Sequence, residues 1–137
     1  MGVHEQLATV DLFADFSSTA LNEMVHRGTK FKRAPGSTLV EEGAADAGLY
    51  LILNGSAVVS VGGTEVGEMA AGDYFGEISL IDGQPRSATV TAGPGGAETF
   101  AISSLTFSDL LDDHPELARV MLKALTARIR AIEARQS

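Results

Sequence analysis

A chain of 137 residues, 45% apolar and 20% charged, is long enough for a self-sufficient core and too apolar for a disordered segment. It contains no cysteine, which excludes disulfides, thiolate zinc sites and cysteine nucleophiles. The net charge is −8 and uneven: residues 1–114 hold 5 basic and 16 acidic side chains, whereas residues 115–137 hold five basic and two acidic ones. A body that acidic disfavours nucleic acid and anionic membrane, and the thinly basic tail reads as the solvated face of a helix.

In chain order, residues 1–27 read as helical, with Ser17 as an N-cap and Leu21, Met24 and Val25 at helical spacing. Nothing in residues 1–11 resembles a secretory signal, and no apolar run approaches the ~20 residues of a membrane span. A cytoplasmic location is the expectation. Residues 28–103 hold most of the 15 glycines and read as short strands separated by turns. The expected strands are Thr29–Arg33, Thr38–Val40, Leu49–Leu53, Ala57–Val61, Thr64–Met69, Ser87–Ala92 and Thr99–Ser103. The expected turns fall at Ala34-Pro35-Gly36, Asn54-Gly55, Gly62-Gly63, Ala71-Gly72-Asp73 and Gly93-Pro94-Gly95-Gly96, with Gly62-Gly63 the clearest hairpin signal. Many short strands at this spacing predict a mainly β fold, a barrel or jelly roll, flanked by helices.

Residues 104–137 return to helix. A short helix is expected over Leu105–Leu111, and a long one from Pro115 to about Arg135. Ala118, Leu122, Leu125, Ile129 and Ile132 form an apolar stripe along the long helix, which suits packing on the domain itself or on a twin helix. The chain reads as one domain, 1–137, with no internal repeat and no linker.

The chemistry is concentrated in residues 72–90. A glycine-hinged turn leads into one short helical turn, expected over Glu77–Ile81, whose opening N–H groups would make a seat for an anion. Arg86 then stands at the mouth of a strand that is otherwise small and apolar. A buried arginine is costly unless it meets an anion, and its donor fork fits a phosphate. A carboxylate at Glu77, close to such an anion, would face a hydroxyl donor. Phosphate with an adjacent hydroxyl describes a ribose phosphate. The residues alone equally allow Arg86 and Glu77 to pair with each other.

Phe75-Gly76-Glu77-Ile78-Ser79-Leu80 and Pro85-Arg86-Ser87-Ala88-Thr89-Val90 resemble the phosphate-binding cassette, here 75–90, of the cyclic nucleotide-binding domain family. The flanks resemble it too: Pro35-Gly36, Leu39-Val40 and Glu42-Gly43, then residues 49–55, then Phe107 with Leu110-Leu111. The resemblance implies that Arg86 pairs with the cyclic phosphate. The Ser79 and Ser87 backbone N–H groups and the Ser87 hydroxyl would complete its shell. Glu77 would accept from the ribose 2′-hydroxyl beside the Gly76 backbone, with Phe75, Ile78 and Ala88 counted among the binding residues of the same cassette. Arg128 falls where some family members place an arginine near the base, although a surface arginine is the alternative. Ile129 and Ile132 would cover the base as aliphatic lids, where many family members use an aromatic residue.

Serine after the cassette arginine goes with cAMP in this family and threonine with cGMP, so Ser87 favours cAMP, with cGMP the alternative. No hydrolase or nucleotide-triphosphatase motif is present, and His4, His26 and His114 are dispersed. No catalytic or metal-binding role is therefore expected. Two readings follow. In one, a signal-transduction module binds cyclic nucleotide and moves its C-terminal helix against an unidentified effector. In the other, an interaction module keeps the fold, with a homodimer through that helix and weak or no nucleotide binding. A sensor fragment of a larger transcription regulator is a variant of the first. No helix-turn-helix follows the long helix in this sequence, so specific DNA binding by these residues is not expected.

Overall fold

The computed structural model describes residues 2–10, 13–45, 48–76 and 82–136, with the side chains of Arg128 and Gln136 excepted. Helices α1 (Val3–Ala8) and α2 (Ser18–Arg27) precede strands β1 (Thr29–Arg33), β2 (Thr38–Val40), β3 (Gly48–Val61), β4 (Thr64–Ala70), β5 (Tyr74–Phe75) and β6 (Thr89–Ser103). Helices α3 (Ser104–Asp113) and α4 (Glu116–Gln136) close the described chain. The strands pair antiparallel in the order β1-β6-β3-β4, with β2 also on β6 and β5 also on β3. The described sheet curls as a jelly roll does without closing into a barrel.

Local chemistry accounts for the element ends. The Ser17 side chain accepts from the Ala20 N–H at 3.2 Å and starts α2, and the Ser103 side chain accepts from the Thr106 N–H at 3.1 Å and starts α3. Gly62 and Gly63, at φ 59° and 82°, make the two-residue hairpin between β3 and β4.

Strand β3 divides the interior by its alternation. Leu49, Leu51 and Leu53 face the helices, in a core with Leu7, Phe13, Met24, Phe100, Ile102, Phe107, Leu110 and Leu117. Tyr50 and Ile52 point the other way, into the roll, with Val40, Ala57, Phe75 and Val90. The first core anchors the helices, and the second takes in both ends of the cassette, Phe75 and Val90.

The structure corrects the sequence expectations in three places. The turn expected at Asn54-Gly55 is a kink inside β3, so Leu49–Leu53 and Ala57–Val61 belong to one strand. Likewise, Gly93-Pro94-Gly95-Gly96 lies inside β6 and joins the two strands expected there. The β3–β6 register slips between Ile52 and Asn54 and again between Gly55 and Ala57. Gly55 and Gly96 both have positive φ, 84° and 80°, and a Cβ on Gly55 would lie 2.3 Å from the Gly96 carbonyl oxygen. The glycines therefore let two long strands bend together rather than reverse.

The third correction concerns α4. Its buried face is Leu117 and Met121, flanked by the half-buried Val120, Ala124 and Leu125. Of the expected stripe, only Leu125 packs against the core, while Leu122, Ile129 and Ile132 are 65%, 57% and 45% exposed. The first turns of α4 dock on the helical core, and its outer half extends past it.

Candidate functional site

The site is assembled around Arg86 from three stretches distant in sequence. The first is the 42–44 turn after β2. The Arg86 N–H donates to the Ala44 carbonyl at 2.9 Å, and the Gly43 N–H donates to the Arg86 carbonyl at 2.9 Å. Three residues on, the Glu42 N–H donates to the Thr89 hydroxyl at 2.9 Å. These bonds fix the backbone that delivers Arg86 into the sheet.

The second stretch is the start of β3. Arg86 is 4% exposed, and its guanidinium Nη1 donates to the Gly48 carbonyl at 3.1 Å. Its Cζ lies 5.8 Å from the Tyr50 ring centroid, near the outer limit for a cation–π contact. Tyr50 in turn stacks on Phe75, its cross-strand partner in β5, with centroids 5.1 Å apart and planes 6° from parallel. Arginine, tyrosine and phenylalanine thus form one layered wall.

The third stretch is Gly76, immediately after β5. Its φ is +96°, and a Cβ there would lie 2.2 Å from the Gly48 oxygen and 2.7 Å from Arg86 Nη1. Only a residue without a side chain admits the backbone this close to a buried cation. The result is a fixed guanidinium bordered by bare backbone, a suitable seat for an oxyanion carried on a small sugar.

Of the residues singled out from sequence, Phe75, Gly76 and Arg86 come together here. Phe75 is buried and Gly76 half-buried. Ser87 is exposed and Ala88 half-buried, both on the stretch leading from Arg86 into β6. Glu77, Ile78 and Ser79, and the short helical turn expected over Glu77–Ile81, lie outside the described residues, as does the Arg128 side chain. Ile129 and Ile132 are exposed on α4. Sequence reasoning missed Gly48 and Tyr50. The alternation of β3 separates Tyr50 from Leu49 and Leu51 and could have placed it on the cassette side; Gly48 carried no such signal. A cleft of about 320 Å³ lined by Lys32, Arg33, Asn54, Gly96 and Glu98, at the β3–β6 kink, does not include Arg86.

Residues 30–114 match the sequence profile described as the cyclic nucleotide-binding domain. A cGMP-dependent protein kinase of Toxoplasma gondii is 34% identical over 125 residues, covering 87% of this chain and 12% of that protein. Among solved structures, the regulatory domain of Toxoplasma gondii PKA, crystallised with cAMP, superposes with a TM-score of 0.76 at 25% identity. That match covers 90% of this chain and 48% of the other. The N-terminal domain of a transcriptional regulator from Streptomyces coelicolor A3(2) superposes with a TM-score of 0.79 at 25% identity, covering 96% and 95%. The chain thus spans a small part of the kinase and about half of the PKA chain. The profile match takes in β1 through α3 and, within them, the layered wall around Arg86, so this chain belongs to the cyclic nucleotide-binding domain family.

Proposed function

We propose that this domain is a non-catalytic cAMP sensor. The observation that carries the reading is Arg86: a buried guanidinium, clamped through its own backbone to residues 43 and 44 and bordered by the bare backbone of Gly76. A cyclic nucleotide would supply a phosphate and an adjacent ribose hydroxyl. Arg86 would hold the phosphate through its donor fork, with Ser87 and the Ser79 N–H beside it. Glu77 would take the ribose hydroxyl. Tyr50, itself stacked on Phe75, lies beside the Arg86 guanidinium. Ser87, in place of threonine, supports cAMP over cGMP. The kinase relative named as cGMP-dependent and the solved relative named with cAMP make the comparison of the two nucleotides the natural test.

The output element in this reading is α4. A ligand shifts a conformation only through different affinity for its two states, and α4 would supply that difference by closing Arg128, Ile129 and Ile132 over the base. The exposure of Ile129 and Ile132 fits an open helix awaiting such a contact. The same exposure supports a second reading, in which the Leu122, Ile129 and Ile132 face pairs with a twin helix and assembly is the primary role.

Calorimetric titration with cAMP and then cGMP, on protein unfolded and refolded to strip carried nucleotide, separates the two. The sensor reading predicts binding of cAMP tighter than cGMP, with Arg86→Ala weakening it by roughly thirty- to several-thousand-fold. It also predicts slower hydrogen exchange over residues 120–137 on binding. No binding of either nucleotide by the native refolded protein would overturn it in favour of assembly.

A further inference from the structure

The two ends of the sheet carry opposite charge. Strand β1 is Thr-Lys-Phe-Lys-Arg, formally +3, and every residue of it is exposed. Strand β4 is Thr-Glu-Val-Gly-Glu-Met-Ala, formally −2, and exposed at all positions but one. They are the terminal strands of the β1-β6-β3-β4 path, so among the described residues each has one edge without a neighbouring strand. None of Lys30, Lys32, Glu65 and Glu68 makes an ion pair among the described residues.

The spacing of these charges also matches. Lys30 and Lys32 alternate with Phe31 and therefore share one face, two residues apart. Glu65 and Glu68 would fall on opposite faces of a regular strand. Here Glu68 pairs with Val58 and Glu65 with Ser60, because Val66 is an extra, bulged residue. Val58 and Ser60 share a face, so Glu65 and Glu68 do too, two rungs apart. Each pair of charges is thus separated by ~7 Å along its strand. The same strands also carry Phe31, 38% exposed with Arg33 over its ring, and Val66, 60% exposed.

We propose that copies of this chain associate head to tail by strand addition, β1 of one copy against β4 of the next. Edge lysines repel a second basic edge, and edge glutamates a second acidic one, so β1–β1 and β4–β4 pairing are both disfavoured. Only the mixed contact places Lys30 and Lys32 opposite Glu65 and Glu68. Main-chain hydrogen bonds supply its attraction, and the charges supply its selectivity and register. The contact joins two different surfaces, so it propagates into open chains or rings rather than closing as a dimer. At physiological ionic strength the screening length is ~8 Å, which damps the repulsion between −8 bodies while sparing paired charges in contact.

The test is sedimentation velocity over a concentration series, on the parent and on two reversed variants. One carries Lys30→Glu with Lys32→Glu, the other Glu65→Lys with Glu68→Lys. All four side chains are exposed, and an unchanged thermal transition confirms that the variants fold. The parent is expected to gain mass continuously with concentration, and each variant alone to associate at least about tenfold more weakly. Mixing the variants should restore association, because each then meets a complementary edge on the other. A monomeric parent at every concentration overturns the proposal. So does association that persists in both variants, which would place the contact elsewhere, such as on α4, or a mixture that stays as dissociated as its components.

Discussion

Replacing Gly76 by alanine tests the architecture of the site directly. Two costs arise. Gly76 sits at φ +96°, where an L side chain is strained by ~1–3 kcal/mol. The new Cβ would also lie 2.2 Å from the Gly48 oxygen, against an ordinary contact of ~3.5 Å, so the two must separate by about 1 Å. Gly48 is paired across the sheet with Ser103 and cannot retreat, so the chain at residue 76 must move. Arg86 Nη1, 2.7 Å from the same Cβ, is displaced with it, and its bond to the Gly48 carbonyl is weakened. Allowing for relaxation, the combined cost is ~2–4 kcal/mol, and at about 4 °C per kcal/mol for a chain of this size Tm falls by ~8–16 °C. Gly36→Ala is the control, because Gly36 also has positive φ, +78°, but no atom within 4 Å of its Cβ position. Differential scanning calorimetry of both variants separates backbone strain from close approach. If Gly76→Ala unfolds within ~2 °C of Gly36→Ala, the proximity of Gly76 to Gly48 and Arg86 does not constrain the site.

Other substitutions probe the supports of the site. Ser103→Ala removes the cap of α3 at the end of β6 and is expected to cost ~1 kcal/mol, read as a Tm lower by a few degrees; an unchanged Tm would mean that water replaces the cap. Leu110→Ala, at a side chain with no exposed surface, is expected to cost ~2–5 kcal/mol in urea unfolding, with a much smaller loss signifying collapse of the helical core around the gap. Asp109→Asn breaks the 2.8 Å pair with Arg27 between α2 and α3, yet both side chains are over a third exposed. Its expected effect stays below ~1 kcal/mol, and a larger loss would show that this bridge orders the helices. Tyr50→Leu keeps a smaller apolar side chain beside Ile52 but removes the aromatic face stacked on Phe75 and beside Arg86; a loss of stability of no more than ~3 kcal/mol is expected while cAMP affinity falls, and equal affinity would show that Arg86 needs no such platform.

Much of this molecule is decided by chemistry within a few residues of itself. Ser17 caps α2, Gly62-Gly63 turns β3 into β4, and the alternation of residues 49–53 assigns Leu49, Leu51 and Leu53 to one core and Tyr50 and Ile52 to the other. The run from Phe75 to Val90 carries the family's pattern in its letters. Those features depend on short-range conformational preference and on periodicity, which a linear sequence records. Other features depend on what lies opposite in space. Asn54-Gly55 and Gly93–Gly96 have the composition of turns, but they lie against each other where the β3–β6 pairing slips, between Gly55 with Ala97 and Ala57 with Ala92, and form a shared bend in two continuous strands, because the gain from cross-strand hydrogen bonding on either side outweighs the local tendency to reverse. Several apolar stripes are possible on α4, and contact with the helical core selects Leu117 and Met121 and leaves Leu122, Ile129 and Ile132 in solvent. The setting of Arg86 is likewise tertiary. The carbonyl of Gly48 and the ring of Tyr50 meet the guanidinium, and the turn at Gly43 and Ala44 holds the Arg86 backbone; all are tens of residues away in the chain, and only the tertiary fold brings them to one arginine.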